Sequence, residues 1–123
     1  MNTDISEYDG DLSEGTSHYA LCSDTEDLIA IASMFNQKFK HFPKEKAIRL
    51  RGMAVKNDLQ GTGYGKKLLK EIINVYSSQF DLIWCNAREG ALGFYKNFGF
   101  TVSYEKFVIE NIGSHCHAYL RLE

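Results

Sequence analysis

A strand, a glycine-rich turn and a helix follow one another directly between residues 47 and 78. This unit limits the folds open to the chain more than any other stretch. Ala47–Val55 reads as a strand, with Ile48, Leu50, Gly52 and Ala54 on one face and Arg49, Arg51, Met53 and Val55 on the other. Lys56–Gly65 turns, and from Lys66 to Ser78 the residues Leu68, Leu69, Ile72, Ile73 and Tyr76 recur at helical spacing. Glycines let a backbone approach an anion without a Cβ in the way. The unpaired amides of the first helical turn, with the helix dipole behind them, then favour phosphate. Here Gly61, Gly63 and Gly65 alternate, and Lys66 and Lys67 follow at once.

Three phosphate-binding patterns compete for this turn. A Walker loop needs a glycine where Gln60 stands and Ser or Thr where Lys67 stands, so it fails. A dinucleotide fingerprint needs G-x-G-x-x-G, and its last glycine would fall on Lys66 or Leu68, so it fails too. The pattern Q/R-x-x-G-x-G/A is met by Gln60, Gly63 and Gly65.

The rest of the chain supplies more strands and one more helix. Ser17–Ser23 and Leu28–Phe35 read as a hairpin, followed by a polar, basic loop over 36–45. Phe80–Cys85 is a short apolar run suited to a central strand. Residues 89–98 read as a helix ended by Gly99. Phe100–Tyr104 with Phe107–Ile109, then His115–Leu122, close the chain as a hairpin about the turn Asn111-Ile112-Gly113-Ser114. The pattern predicts an α/β (α+β) domain, a mixed sheet with helices packed on it, over residues 17–123. Residues 1–16 are expected to be a loosely ordered acidic arm.

Composition narrows the function classes. The net charge of −2 is uneven: residues 1–17 hold five acids and no base, leaving 14 bases against 11 acids in the body. That is too weak for a nucleic-acid footprint but suits a smaller polyanion. No window is long and apolar enough to span a membrane, and no secretion signal opens the chain, so a cytoplasmic protein is expected. Cys22, Cys85 and Cys116 are too few and too widely spaced for a disulfide framework.

The Gln60–Gly65 turn resembles the pyrophosphate-binding motif of the GCN5-related N-acetyltransferase (GNAT) family. Arg49–Val55 resembles the strand that leads into it, Leu82–Arg88 the next strand, and Ala91–Phe100 the family's A-x-x-x-Y-x-x-x-G-F helix end. The resemblance implies a GNAT-like, mostly antiparallel sheet, N-terminally truncated, and acetyl transfer from acetyl-CoA to a primary amine of a small molecule or peptide. It implies direct attack in a ternary complex, without a metal. Backbone amides of Gly61, Thr62, Gly63, Tyr64, Gly65 and Lys66 would bind the coenzyme pyrophosphate. Met53, Val55, Gln60, Asn86, Arg88 and Tyr95 complete the implied coenzyme set. The Val55 amide would stabilise the developing oxyanion, and Tyr95 would protonate the departing thiolate. Arg88 departs from the family's asparagine at that position, with Asn86 two residues earlier.

His115 is the histidine of Ile112-Gly113-Ser114-His115, which resembles an "I-G-x-H" segment of some small family members, and is a candidate general base. His117 shares its strand face, and the pair lacks an evident third metal ligand. Arg49, Arg51 and Glu105 are read as exposed strand charges that could face the acceptor, and Trp84 and Phe94 as core. Two other readings fit the same residues: a non-catalytic acyl-CoA-binding module, and an interaction subunit pairing through an exposed sheet edge. A homodimer is compatible with the enzyme reading, since a second copy could supply a pocket wall.

Overall fold

The computed structural model describes residues 3–8, 15–25, 27–103, 105–110 and 112–122. They form one sheet: β1 (Thr3–Tyr8), β2 (Thr16–Ser23), β3 (Leu28–Asn36), β4 (Ala47–Val55), β5 (Leu82–Arg88), β6 (Thr101–Val102), β7 (Phe107–Ile109) and β8 (Gly113–Arg121). The strand order is β1-β2-β3-β4-β5-β8-β6, with β7 also pairing β8. Only β4 and β5 pair in parallel, and α1 (Tyr64–Tyr76) is the crossover between them. The second helix, α2 (Leu92–Phe98), follows β5 and ends at Gly99 as the sequence suggests.

Each face of the sheet has its own cover. α1 lays Leu68, Leu69, Ile72 and Tyr76 against Leu21, Ile29, Met34, Ile48, Leu50 and Ile83. Each fully buried aliphatic side chain there contributes about 1.5–3 kcal/mol. The opposite face carries a smaller cluster of Phe39, Ala47, Leu82 and Trp84, with Phe42 and Tyr119 against it. Its cover comes from the 36–45 segment, expected to be a polar loop. Phe39 is instead wholly buried, stacked on Trp84 with ring centroids 5.0 Å apart, and the Trp84 indole donates to the Gln37 carbonyl at 2.8 Å.

Two further expectations are corrected. Residues 1–16 were to be a loose arm, but Thr3–Tyr8 is the edge strand, paired residue for residue with His18–Ser23. Ile5, opposite Leu21, gives it a foothold on the main core, while Ser6 and Glu7 are exposed, as suits an edge. Residues 9–14 lie outside the described residues. Near the C-terminal end, the strand expected over Phe100–Tyr104 is only Thr101–Val102; Tyr104, and Asn111 of the predicted turn, also lie outside the described residues.

Candidate active site

The sheet opens where β4 and β5 part. Their parallel register runs from Ala47–Leu82 to Leu50–Cys85 and stops. Beyond it β4 stays with β3 to Val55, and β5 stays with β8 to Arg88. The parting coincides with a bulge. Arg51 pairs with Ser33 and Ala54 with Ile31, so Gly52 and Met53 together stand opposite Ala32. Gly52 takes φ +62, a left-handed conformation that favours glycine. The bulge reverses the alternation expected for β4: Met53 and Val55, not Gly52 and Ala54, share the core side with Ile48 and Leu50.

The bulge also sets the direction of one amide. Lys56 N–H donates to the Ile29 carbonyl at 2.8 Å, toward β3. Backbone groups alternate sides along an antiparallel strand, so Val55, its neighbour, turns its N–H away from β3 and into the gap. Its carbonyl, on the same side, accepts from the Gln60 side chain at 3.2 Å.

Gln60 introduces the turn. Gly61 and Gly63 have φ +78 and +91, and nothing lies within 4 Å of where a Cβ would stand on either. That open space borders the start of α1, whose first intrahelical bond is donated by Lys67 to Gly63 at 3.0 Å. The amides of Tyr64, Gly65 and Lys66 therefore have no intrahelical acceptor. A concave, bare-backbone cradle with unpaired donors fits a diphosphate.

Cradle and gap meet in one cleft of about 640 Å³. Of the residues picked from sequence, Met53, Val55, Gln60, Gly61, Gly63, Gly65, Lys66 and Tyr95 line it. Tyr95 is 8 % exposed, packed between Phe94 and Phe100. Burial, with the adjacent Cys85 thiol, raises its pKa above the ordinary phenol range. Burial likewise pushes the Cys85 thiol up to about 12.

Three predicted residues stand apart from the cleft, and two more, Thr62 and Tyr64, belong to the cradle by their backbone but turn their side chains away. Thr62 turns its hydroxyl onto the Leu59 carbonyl, and Tyr64 packs on the main core. Arg88 is exposed at the end of β5. Asn86 is on the sheet face away from the helices, its Oδ1 2.9 Å from His117 Nδ1. His115 is 4 % exposed, its Nδ1 2.8 Å from the carbonyl of Gly113 in its own turn and its ring stacked on Phe107. Sequence reasoning also missed part of the wall. Phe94, read as core, is 37 % exposed and lines the cleft with Ala91, Asn97 and Phe98. The helical spacing of Ala91, Phe94 and Phe98 was the available signal.

With fold and site in view, the chain belongs to the GNAT acetyltransferase family: the family model described as "Acetyltransferase (GNAT) family" matches residues 2–100. It is 34% identical over 116 residues to a curated relative from Bacillus subtilis (strain 168), "Uncharacterized N-acetyltransferase YitI", covering 94% of this chain and 77% of that one. Among solved structures, it resembles an IAA acetyltransferase from Bacillus cereus ATCC 14579 with a TM-score of 0.73 at 16% identity, covering 98% of this chain and 100% of that one. It also resembles the ribosomal-protein-S18-alanine N-acetyltransferase from Escherichia coli with a TM-score of 0.73 at 16% identity, covering 99% and 95%. At such identities the structures speak for the fold alone. Family membership makes the chain an acyltransferase of the N-acetyltransferase kind and implies acetyl-CoA as co-substrate. No helix among the described residues is long and apolar enough to cross a membrane.

Proposed function

We propose that this protein transfers the acetyl group of acetyl-CoA directly to a primary amine, with both bound at once. The observation that carries the reading is the continuity of the cleft. It runs from the bare-backbone cradle at Gly61–Lys66, past the free Val55 amide, to Tyr95. Acetyl-CoA brings an activated thioester. The cradle amides, with the Lys66 charge beside them, hold its diphosphate, and the β4–β5 gap takes the pantetheine arm. The Val55 N–H donates to the carbonyl oxygen as negative charge builds there. The Tyr95 hydroxyl gives its proton to the departing sulfur and regains one from solvent. Arg88 and Asn86, away from the cleft, are left without a coenzyme role. The three free thiols, two of them buried, suit a reducing compartment such as the cytosol.

A calorimetric titration with acetyl-CoA tests the reading, run on the unaltered protein and on Gly63→Glu. The substitution forces a side chain onto φ +91 and sets a carboxylate where the diphosphate would lie. Micromolar binding that the variant loses, with its circular dichroism unchanged, is the expected result. No binding by the unaltered protein overturns the proposal.

A further inference from the structure

The sheet face turned away from α1 and α2 carries a histidine that none of these roles uses. His117 sits on β8 opposite Asn86 of β5. A carboxamide oxygen can only accept, so the 2.9 Å contact between Asn86 Oδ1 and His117 Nδ1 puts the imidazole proton on Nδ1. Nε2 then carries the lone pair, and no described residue engages it. The ring stands among those of Phe39, His41, Trp84 and Phe107, with centroids 5.6, 5.1, 6.2 and 4.7 Å away.

The position of this imidazole relative to the gap follows from β5. Cys85 is the last residue of β5 paired with β4, and Asn86 is the first beyond the parting. Successive residues of a strand point to opposite faces. Cys85 points toward the helices, where its thiol interacts with Tyr95; Asn86 points the other way and holds His117. Asn86 and His117 thus stand on the sheet face opposite Tyr95, at the level along β5 where β4 parts from it.

We propose that His117 is the general base of the reaction, taking the proton of the acceptor amine on Nε2, and that Asn86 is the positioning residue that fixes its tautomer. This rests on the acetyl-transfer reading above. The C–N bond forms as the amine proton passes to His117; the C–S bond breaks as the Tyr95 proton passes to sulfur. His117 then releases its proton to solvent and Tyr95 takes one back, so the products are the amide and the free thiol. His115, the sequence candidate for this role, is buried and held to the Gly113 carbonyl of its own turn.

The electrostatic setting keeps the base ready. Burial lowers the His117 pKa below its ordinary 6.5; Lys40 and His41 from the 36–45 segment and Arg49 from β4 lower it further. Glu105, from the β6–β7 connection, opposes them. The imidazole is therefore neutral at pH 7. Lys40 and Arg49 also disfavour an ammonium beside it, so the acceptor enters as the free amine. Activity limited by this group falls as pH drops through its pKa, on the acid side of the ordinary histidine range.

The test is thiol release from acetyl-CoA with a panel of free amino acids, short peptides, arylalkylamines and polyamines, followed from pH 5 to 9. With whichever amine turns over, His117→Gln should lower kcat about a hundredfold or more and abolish the acid limb of the profile, while calorimetric acetyl-CoA affinity is unchanged. Asn86→Asp should move the acid limb up by about one pH unit, because a carboxylate beside Nδ1 favours the imidazolium. A His117→Gln enzyme that binds acetyl-CoA and keeps both kcat and the acid limb overturns this proposal and leaves the acetyl-transfer reading standing. An unaltered protein that turns over no amine in the panel overturns both.

Discussion

Tyr95 is suited to give up a proton only when a strong base is created beside it. Its hydroxyl lies in a buried setting where phenolate is poorly solvated, next to a thiol that is itself held protonated. The raised pKa means the group bears its proton throughout the neutral and mildly alkaline range, and a thiolate leaving in the cleft is the event that draws it off. Tyr95→Phe keeps the ring packed between Phe94 and Phe100 and removes only the hydroxyl. Its kcat should fall about a hundredfold or more, with acetyl-CoA affinity within twofold of the unaltered protein by calorimetry. An undiminished kcat would remove Tyr95 from the chemistry. Tyr95 was legible because it stands at a fixed offset from Ala91 and Gly99. The histidines were not: His115 and His117 are two apart on one strand and share a face, so alternation treats them alike. Burial and side-chain partners separate them: His115 is closed in at the Gly113 turn, while His117 is held from the neighbouring strand by Asn86.

At the scale of elements, the bulge in β4 connects backbone conformation to catalysis. A glycine inside a strand pattern is a signal for a bulge, yet the alternation of Ile48–Arg51 runs into Gly52-Met53-Ala54-Val55, which has no polar residue to mark the change of phase at Gly52. The consequence is large, because the bulge decides which side Met53 and Val55 occupy. Gly52→Val places a β-branched residue at φ +62, where no neighbour lies within 4 Å of the new Cβ, so the penalty is conformational rather than a clash. It should cost about 1–3 kcal/mol in urea unfolding and weaken acetyl-CoA binding. Gly52→Asn, which tolerates the left-handed region better, should lose less of both. Equal losses would mean that the conformation at Gly52 is not what shapes the gap. The helices and long strands, by contrast, were readable, since α1 repeats its apolar residues over three turns and each hairpin has a polar turn. The 36–45 segment was not, because its structural content is a single plugging aromatic, Phe39, in an otherwise polar stretch. β1 was misread for the related reason that its acids outweighed Ile5, its foothold on the core.

At the scale of the molecule, the cleft lies between two parts of the sheet. β1–β4 with α1 stand on one side of the gap, and β5–β8 with α2 on the other. Across the gap the ladder holds four residue pairs among the described residues, Ala47–Leu82 to Leu50–Cys85, joined by core packing and a few bonds at the closed end, among them Trp84 to the Gln37 carbonyl and Lys46 N–H to the Asp81 carboxylate. A ligand contacting the cradle on one side and Tyr95 on the other bridges both parts, and the unfolded chain offers it no such site. Binding should therefore stabilise the whole domain by mass action, about 2.7 kcal/mol when free acetyl-CoA stands at one hundred times its Kd. For a domain of this size that corresponds to a rise in Tm of about 10 °C. Gly63→Glu should show no rise at the same concentration. His117→Gln should show the full rise, because its imidazole belongs to the acceptor side and not to the cleft. Should the rise vanish in both variants, the two faces of the gap would have to be one binding site, and the division of labour across β5, coenzyme on the helix side and acceptor amine on the other, would fail.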